Sequence, residues 1–308
     1  MGTAELACGS LKALREAPGF EVIAAVTQPD RPKGRSLKSQ PSPVKEIALR
    51  AGLPLLQPER ARDAAFLEEL RKLKPDFIVV AAYGQLLPAA VLTLPPLGCF
   101  NVHASLLPKY RGAAPIQWAI LNDEAETGVT IMKMAEKLDT GDILSRRITE
   151  ITPQDTAATL QQRLAEMGAQ LLVATLRKCV MGIATAHPQV EAEATYARKI
   201  TKEDGRLDWS QPARALWNRV RALTPWPGAF TCPAGEAKLG TVKILRASLE
   251  ETQSGQPGCV LAAGKEGVVV ACGKGALRVE ELQLEGGKHL TAAQFLAGHP
   301  LPPGASLR

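Results

Sequence analysis

Residues 98–144 read GCFNVHASLLPKYRGAAPIQWAILNDEAETGVTIMKMAEKLDTGDIL, and the succession of short elements in this stretch decides the fold class. Cys99-Phe100-Asn101-Val102-His103 is rich in strand formers. Two positions apart on a strand, Asn101 and His103 project to one face and Val102 to the other, so one face meets a core and the other a cleft. An amide NH2 beside an imidazole offers hydrogen-bond donors to an oxyanion developing on a substrate. The next eight residues, Ser105-Leu106-Leu107-Pro108-Lys109-Tyr110-Arg111-Gly112, run apolar, then basic, and end on glycine. Pro108 lacks an N–H and Gly112 tolerates positive φ, which predicts a shaped loop rather than a helix. Residues 113–123 predict a helix with Ile116, Ile120 and Leu121 on one side. Val129, Ile131, Met132 and Met134 predict the next strand, and Leu138-Asp139-Thr140-Gly141-Asp142 a turn. Singly, these polar residues have plainer readings: Asn or His near a strand end often caps a loop, and Asp in such a turn bonds local backbone.

Upstream, strand and helix patterns alternate. Residues 21–27 (EVIAAVT) predict a buried strand, 28–43 a basic loop, and a helix starts at Pro43. A short strand at 53–56 and a helix at 64–73 follow. Residues 76–82 (DFIVVAA) form the continuous apolar run of a parallel strand covered on both faces. Strands alternating with helices predict an α/β parallel sheet whose active site lies beyond the carboxyl ends of its strands. Tyr83, Gly84, His103 and the 104–112 loop fall there. Downstream, 155–182 predict a long helix, 187–195 a polar linker and 212–223 another helix. Strand-like runs at 243–247, 259–262, 267–272 and 277–284 predict a small β-barrel or sandwich.

The chain has 308 residues, enough for two domains, and its 45% hydrophobic and 22% charged content is ordinary for a globular protein. No apolar run approaches the roughly 20 residues that span a bilayer, and no signal segment opens the sequence, so neither a membrane nor export is expected. Six cysteines without C-x-x-C spacing fit reduced thiols, and four histidines without close pairing predict no metal. No G-x-G-x-x-G occurs, which removes support for a dehydrogenase. The net charge of +6 is too mild to announce nucleic acid, but residues 28–50 cluster Arg31, Lys33, Arg35, Lys38, Lys45 and Arg50.

The pattern N-x-H-x-S-L-L-P-x-x-R-G at 101–112, followed by L-D-T-G-D at 138–142, resembles the active-site signature of the folate-dependent formyltransferases. TQPDRPKGR (27–35), PSPVK (41–45), AYGQLLP (82–88), GAAPIQW (112–118), YARKITKEDGRLDW (196–209) and PWPGAF (225–230) resemble the branch of that family acting on methionyl-tRNA, and they extend the likeness over nearly the whole chain. The resemblance implies an α/β fold: a Rossmann-like doubly wound parallel sheet, with a smaller OB-like β-barrel as the C-terminal domain. Residues 1–183 would be catalytic, 184–202 a linker and 203–308 the OB-like tRNA-binding domain. The implied reaction moves the formyl group of 10-formyltetrahydrofolate to the α-amino group of methionyl initiator tRNA. Asn101, His103 and Asp139 would be catalytic, with Asp139 taking the amine proton and orienting His103. Ser105, Leu106, Leu107 and Pro108 would bind the folate, with 81–88 beside them. Arg31, Lys33, Arg35 and Lys38 would meet the tRNA acceptor end, with Arg198, Lys199, Lys202, Lys243 and Arg246 as further phosphate contacts. A monomer in the bacterial cytoplasm is expected. In the family an apolar first strand precedes the Gly2-Thr3 turn, whereas here Met1 leads into a helix pattern; a sheet without that strand would expose its neighbours' edges. Formyltransferases acting on glycinamide ribonucleotide or amino sugars share the Asn-His-Asp set but lack the 196–209 and 225–230 segments. A non-catalytic RNA-binding descendant is the rival of a different class.

Overall fold

The computed structural model describes residues 1–33, 38–234, 240–250 and 252–308. Contacts divide it into two compact units. One comprises Met1–Pro115, Glu126–Glu150 and Gln161–Arg198, the other Ile116–Ala125, Ile151–Leu160 and Lys199–Arg308.

The first unit is α/β. Its parallel part pairs Ala25–Val26 with Leu55–Leu56, and Ile78–Val80 with Cys99–His103. Met1 and Gly2 lie between these pairs. Gly2 N donates to Val26 O at 2.8 Å, Ala81 N donates to Met1 O at 3.0 Å, and Gly2 bridges Ala81 in parallel sense. The strand expected over 21–27 is paired only at Ala25–Val26. Residues 22–24 continue apolar but lack a ladder partner among the described residues, and with Leu14, Leu73 and Phe77 they line a cavity of about 130 Å³. Beyond Cys99–His103 the sheet turns antiparallel, through Glu126–Lys133 and Ile143–Glu150. The parallel sheet of the sequence reading thus carries an antiparallel edge.

Local chemistry explains the flanking helices. Pro43–Arg50 starts where the Ser42 side chain accepts from Lys45 N at 3.1 Å and Pro43 takes the first helical position, where its missing N–H costs nothing. Ala64–Leu73 buries Phe66 and Leu70, one turn apart, and stops at Lys74 in the left-handed region. These side chains join Val26, Ile78, Val80 and Val91 in one core. The long helix Ala157–Val180 carries Gly168, where a Cβ would stand 3.0 Å from Val102. Val102 thus faces a helix while its neighbours face the other way. The loop expected over 28–43 contains a hairpin, Arg31–Lys33 against Lys38–Gln40.

The second unit is built on a six-stranded antiparallel sheet in which Val242–Glu250, Ala276–Leu284, Gly267–Ala271 and Val260–Gly264 are successive neighbours. Gly267–Ala271 is buried at every position, as its unbroken GVVVA run requires. Ala213–Leu223 contributes Leu216, Trp217 and Val220 to the core beneath. A closing helix, Ala292–Gly298, was not evident from the sequence; its start is fixed by a reciprocal capping box between Thr291 and Gln294. No helix among the described residues is long and apolar enough to cross a membrane.

Candidate active site

Asn101 and His103 sit on the last turn of pleat before the chain leaves the sheet, paired with Met132 and Thr130 of the antiparallel neighbour. Their common face meets Asp139. Asn101 Nδ2 donates to Asp139 Oδ1 at 3.3 Å, and His103 Nδ1 stands 3.7 Å from Asp139 Oδ2. Gly112 N donates to that same Oδ2 at 2.8 Å. Asn101, His103 and Asp139 are 9%, 6% and 7% exposed, so the carboxylate's partners are protein groups rather than bulk water. The other imidazole nitrogen, Nε2, lies 2.9 Å from the Tyr110 carbonyl. A carbonyl only accepts, so Nε2 carries the proton, and Nδ1 is the nitrogen left to exchange one beside Asp139.

The loops that set this geometry are tightly specified. Thr130 Oγ1 donates to Ser105 O at 2.7 Å and accepts from Leu107 N at 3.1 Å, while Ser105 Oγ donates to Lys109 O at 2.7 Å. The Leu107–Pro108 peptide bond is cis. In the 138–142 turn, Asp139 takes φ +54°, a left-handed conformation that aspartate tolerates at a cost of about 1 kcal/mol. Gly141 follows it because a Cβ there would sit 1.7 Å from the Lys133 carbonyl oxygen.

Asn101, His103 and Asp139 share a cavity of about 560 Å³ with apolar walls from Leu6, Leu87, Met132 and Met134. Ala82, Tyr83, Gly84, Gln85 and Leu86 complete it, and the backbone there turns through φ +43° at Ala82 and +82° at Gly84. Gln28 Nε2 anchors this wall by donating to Tyr83 O at 2.8 Å. Gln57 in turn donates to Gln28 O at 3.1 Å and to Asp30 Oδ1 at 3.0 Å. Lys45 pairs with Asp30 at 2.6 Å. The foot of the basic hairpin is therefore tied to the cavity wall. Among the described residues, no cluster of three His, Cys, Asp or Glu side chains could hold a metal.

The sequence-predicted residues divide into three sets. Asn101, His103 and Asp139 come together. Ser105, Leu106, Leu107 and Pro108 lie outside the cavity lining; Ser105 and Leu107 are fully buried, and Leu107 packs on Met132 and Ile143. Arg31 is exposed and paired with Glu59 at 2.6 Å, the backbone of Lys33 is in register with that of Lys38, and Arg35 lies outside the described residues. Arg246 is engaged by Glu280 at 2.8 Å and Glu281 at 3.1 Å, and Lys243 donates to Pro227 O at 3.3 Å. Two residues escaped the sequence reading. Arg111, 1% exposed, donates from Nε to Gln189 Oε1 at 3.1 Å and pairs through Nη1 with Glu191 at 2.8 Å. Gln189 belongs to the stretch read as linker. The one signal for Arg111 was its place in the 101–112 motif.

Comparison with known proteins follows the same lines. The family model described as "Formyl transferase" matches residues 2–176, and "Formyl transferase, C-terminal domain" matches 199–300. The methionyl-tRNA formyltransferase of Geobacter metallireducens is 49% identical over 307 residues, covering 100% of this chain and 97% of that one. That of Caldanaerobacter subterraneus subsp. tengcongensis is 48% identical over 309 residues, covering 100% and 98%. Among solved structures, the N-formyltransferase from Helicobacter canadensis with folinic acid and dTDP-3-aminofucose aligns at TM-score 0.67 and 19% identity, over 90% of this chain and 96% of that one. HypX from Aquifex aeolicus with tetrahydrofolic acid aligns at TM-score 0.59 and 23% identity, over 81% of this chain and 43% of that longer one. At such identities these two structures speak for the fold alone.

Proposed function

The chain belongs to the formyl transferase family along both its N- and C-terminal parts, and we infer that it transfers a formyl group from a folate to the α-amino group of methionine on initiator tRNA. The observation that carries this reading is the meeting of Asn101, His103 and Asp139 in a chain that aligns end to end with methionyl-tRNA formyltransferases. The donor is 10-formyltetrahydrofolate, and the product starts translation as N-formylmethionyl-tRNA.

The reaction makes definite demands. The amine lone pair attacks the formyl carbon and the carbonyl electrons move to oxygen. The oxyanion needs donors: Asn101 keeps one amide hydrogen beyond the one it gives Asp139, and His103, whose Nε2–H is spent on Tyr110, becomes a second donor once its Nδ1 has taken up the proton shed by the amine. The attacking nitrogen must shed a proton, for which Asp139 is the base, directly or through water and His103. Collapse breaks the bond between the formyl carbon and N10, and N10 takes up a proton, so one proton moves in net from amine to folate. The amine itself titrates near ~7.7–8.0 and needs no stronger activation.

For the folate, an apolar cavity walled by backbone at 82–87 suits a flat pterin that pairs with main-chain groups. Ser105, Leu106, Leu107 and Pro108 serve it by shaping the loop that carries Tyr110 and Gly112. For the tRNA, Arg31, Lys33, Arg35 and Lys38 hold acceptor-end phosphates. We assign residues 1–183 to a doubly wound catalytic domain, 184–202 to a linker and 203–308 to an OB-like tRNA-binding domain; the antiparallel sheet of the second unit supports the last. A monomer in the bacterial cytoplasm is the expected form.

The test is single-turnover formylation from 10-formyltetrahydrofolate with methionyl initiator tRNA and glycinamide ribonucleotide offered side by side. Formylation of the tRNA alone is expected. Transfer to the ribonucleotide would move the substrate assignment, and transfer to neither by folded protein would leave a non-catalytic RNA binder.

A further inference from the structure

We propose that Gln189 is a positioning residue for formyl transfer, acting through Asp139; the proposal rests on the role given to Asp139 above. The side chain of Gln189 reaches back 50 residues and donates its two amide hydrogens to the carbonyls of Asp139 and Gly141, each at 2.8 Å. Those carbonyls belong to the residues on either side of Thr140, so the amide grips both ends of the three-residue span 139–141. Its orientation is chemically determined. Arg111 Nε donates to Gln189 Oε1 at 3.1 Å, so the NH2 end must face the two carbonyls.

Gln189 is one point of a longer strap. His187 exchanges backbone bonds of 2.9 Å with Ile143, just past the turn. Tyr196 and Ala197 then pair in parallel with Arg111 and Gly112, and Tyr110 N donates to Thr195 Oγ1 at 2.8 Å. Gly112 is the residue whose N–H holds Asp139 Oδ2. A Cβ on Gly112 would stand 2.6 Å from the Ala197 carbonyl oxygen, at a φ of +118°. The strap thus grips both loops that meet at the carboxylate, the 108–112 loop through its backbone and the 139–141 turn through Gln189. Its direct action falls on a residue in a left-handed conformation, whose carboxylate direction follows its backbone.

The experiment is a double-mutant cycle on the full chain: wild type, Gln189→Met, Asp139→Asn and the pair, each measured for kcat, KM for both substrates and thermal midpoint. Gln189→Met keeps the length of the side chain and removes both donors. It is expected to lower kcat about 10- to 100-fold, as a misplacement on the scale of an ångström does, with KM for folate and tRNA within about twofold. In the Asp139→Asn background the same change is expected to cost little more, because the group it positions is already lost. Multiplicative losses in the pair would overturn the proposal and leave Gln189 a merely structural residue. Near-wild-type kcat for Gln189→Met, with Asp139→Asn inactive, would overturn it while leaving the assigned activity intact. Near-full activity of Asp139→Asn would instead remove the Asp139 reading on which it rests. Should Gln189→Met not fold, Gln189→Glu serves: it keeps the shape but turns a carboxylate on the two carbonyls, and the same kcat loss at unchanged KM is expected.

Discussion

Asp139 accepts from Asn101 and from the Gly112 backbone, and His103 Nδ1 stands nearby without touching it at hydrogen-bond distance. The 3.7 Å gap leaves a place where a substrate nitrogen or a water reaches both groups. In the proposed mechanism Asn101 divides its amide between carboxylate and oxyanion. Asn101→Ala is expected to lower kcat by about 10²–10³, the usual loss for one oxyanion donor, with an unchanged far-ultraviolet circular dichroism spectrum. Retention of activity would take Asn101 out of the mechanism. Two of these three residues are legible from spacing alone, since period two on a strand turns Asn101 and His103 to the same side. Asp139 was not: its turn composition has a structural explanation, and only the family pattern singled it out. Gln189 gave no signal at all, because one glutamine in a polar stretch has neither period nor motif.

At the scale of elements, the helices were the easier part to foresee. The expected helix over 64–73 is the observed Ala64–Leu73, since Phe66 and Leu70 mark its buried side. Strands were foreseen as runs but not as partners. Local apolar sequence identifies a segment that can be buried, while the pairing depends on what lies beside it. Residues 22–24 are the clearest case, apolar throughout yet unpaired. The buried bonds that bend the 104–112 loop were equally hidden, and they depend on Thr130 of the adjacent strand. Its hydroxyl, fully buried, satisfies Ser105 O and Leu107 N at once. Thr130→Val keeps the shape and strands both backbone groups. A loss of about 1–3 kcal/mol in urea-melt stability is expected, and no change in melting would deny the hydroxyl its bracing role.

At the scale of the whole molecule, the described carboxyls that are held below their usual range are unevenly shared between the units. In the first unit, hydrogen bonds from Lys45 and Gln57 hold the Asp30 carboxyl below its usual range. In the second, Arg214 and Asn218 do so for Asp123, Ser210 and Gln211 for Asp208, and Arg278 and Thr252 for Glu250. A carboxyl whose pKa is lower in the native state stabilises above its unfolded value of ~4, and that contribution disappears as pH falls through the lowered folded value. Acid should therefore weaken the second unit first, below about pH 4. All four tryptophans (Trp118, Trp209, Trp217 and Trp226) belong to that unit, whereas far-ultraviolet circular dichroism reports both. On acidification the tryptophan fluorescence transition is expected at higher pH than the dichroism transition; coincidence of the two would deny the difference. The strap has a consequence in time. Translation delivers Asn101, His103 and Asp139 long before Gln189 and Thr195, and helix Ala157–Val180 must emerge between them. A nascent chain that has released only its first 183 residues holds Asn101, His103 and Asp139 and none of the strap bonds from Gln189 and Thr195. The strap is the last part of the first unit to be synthesised.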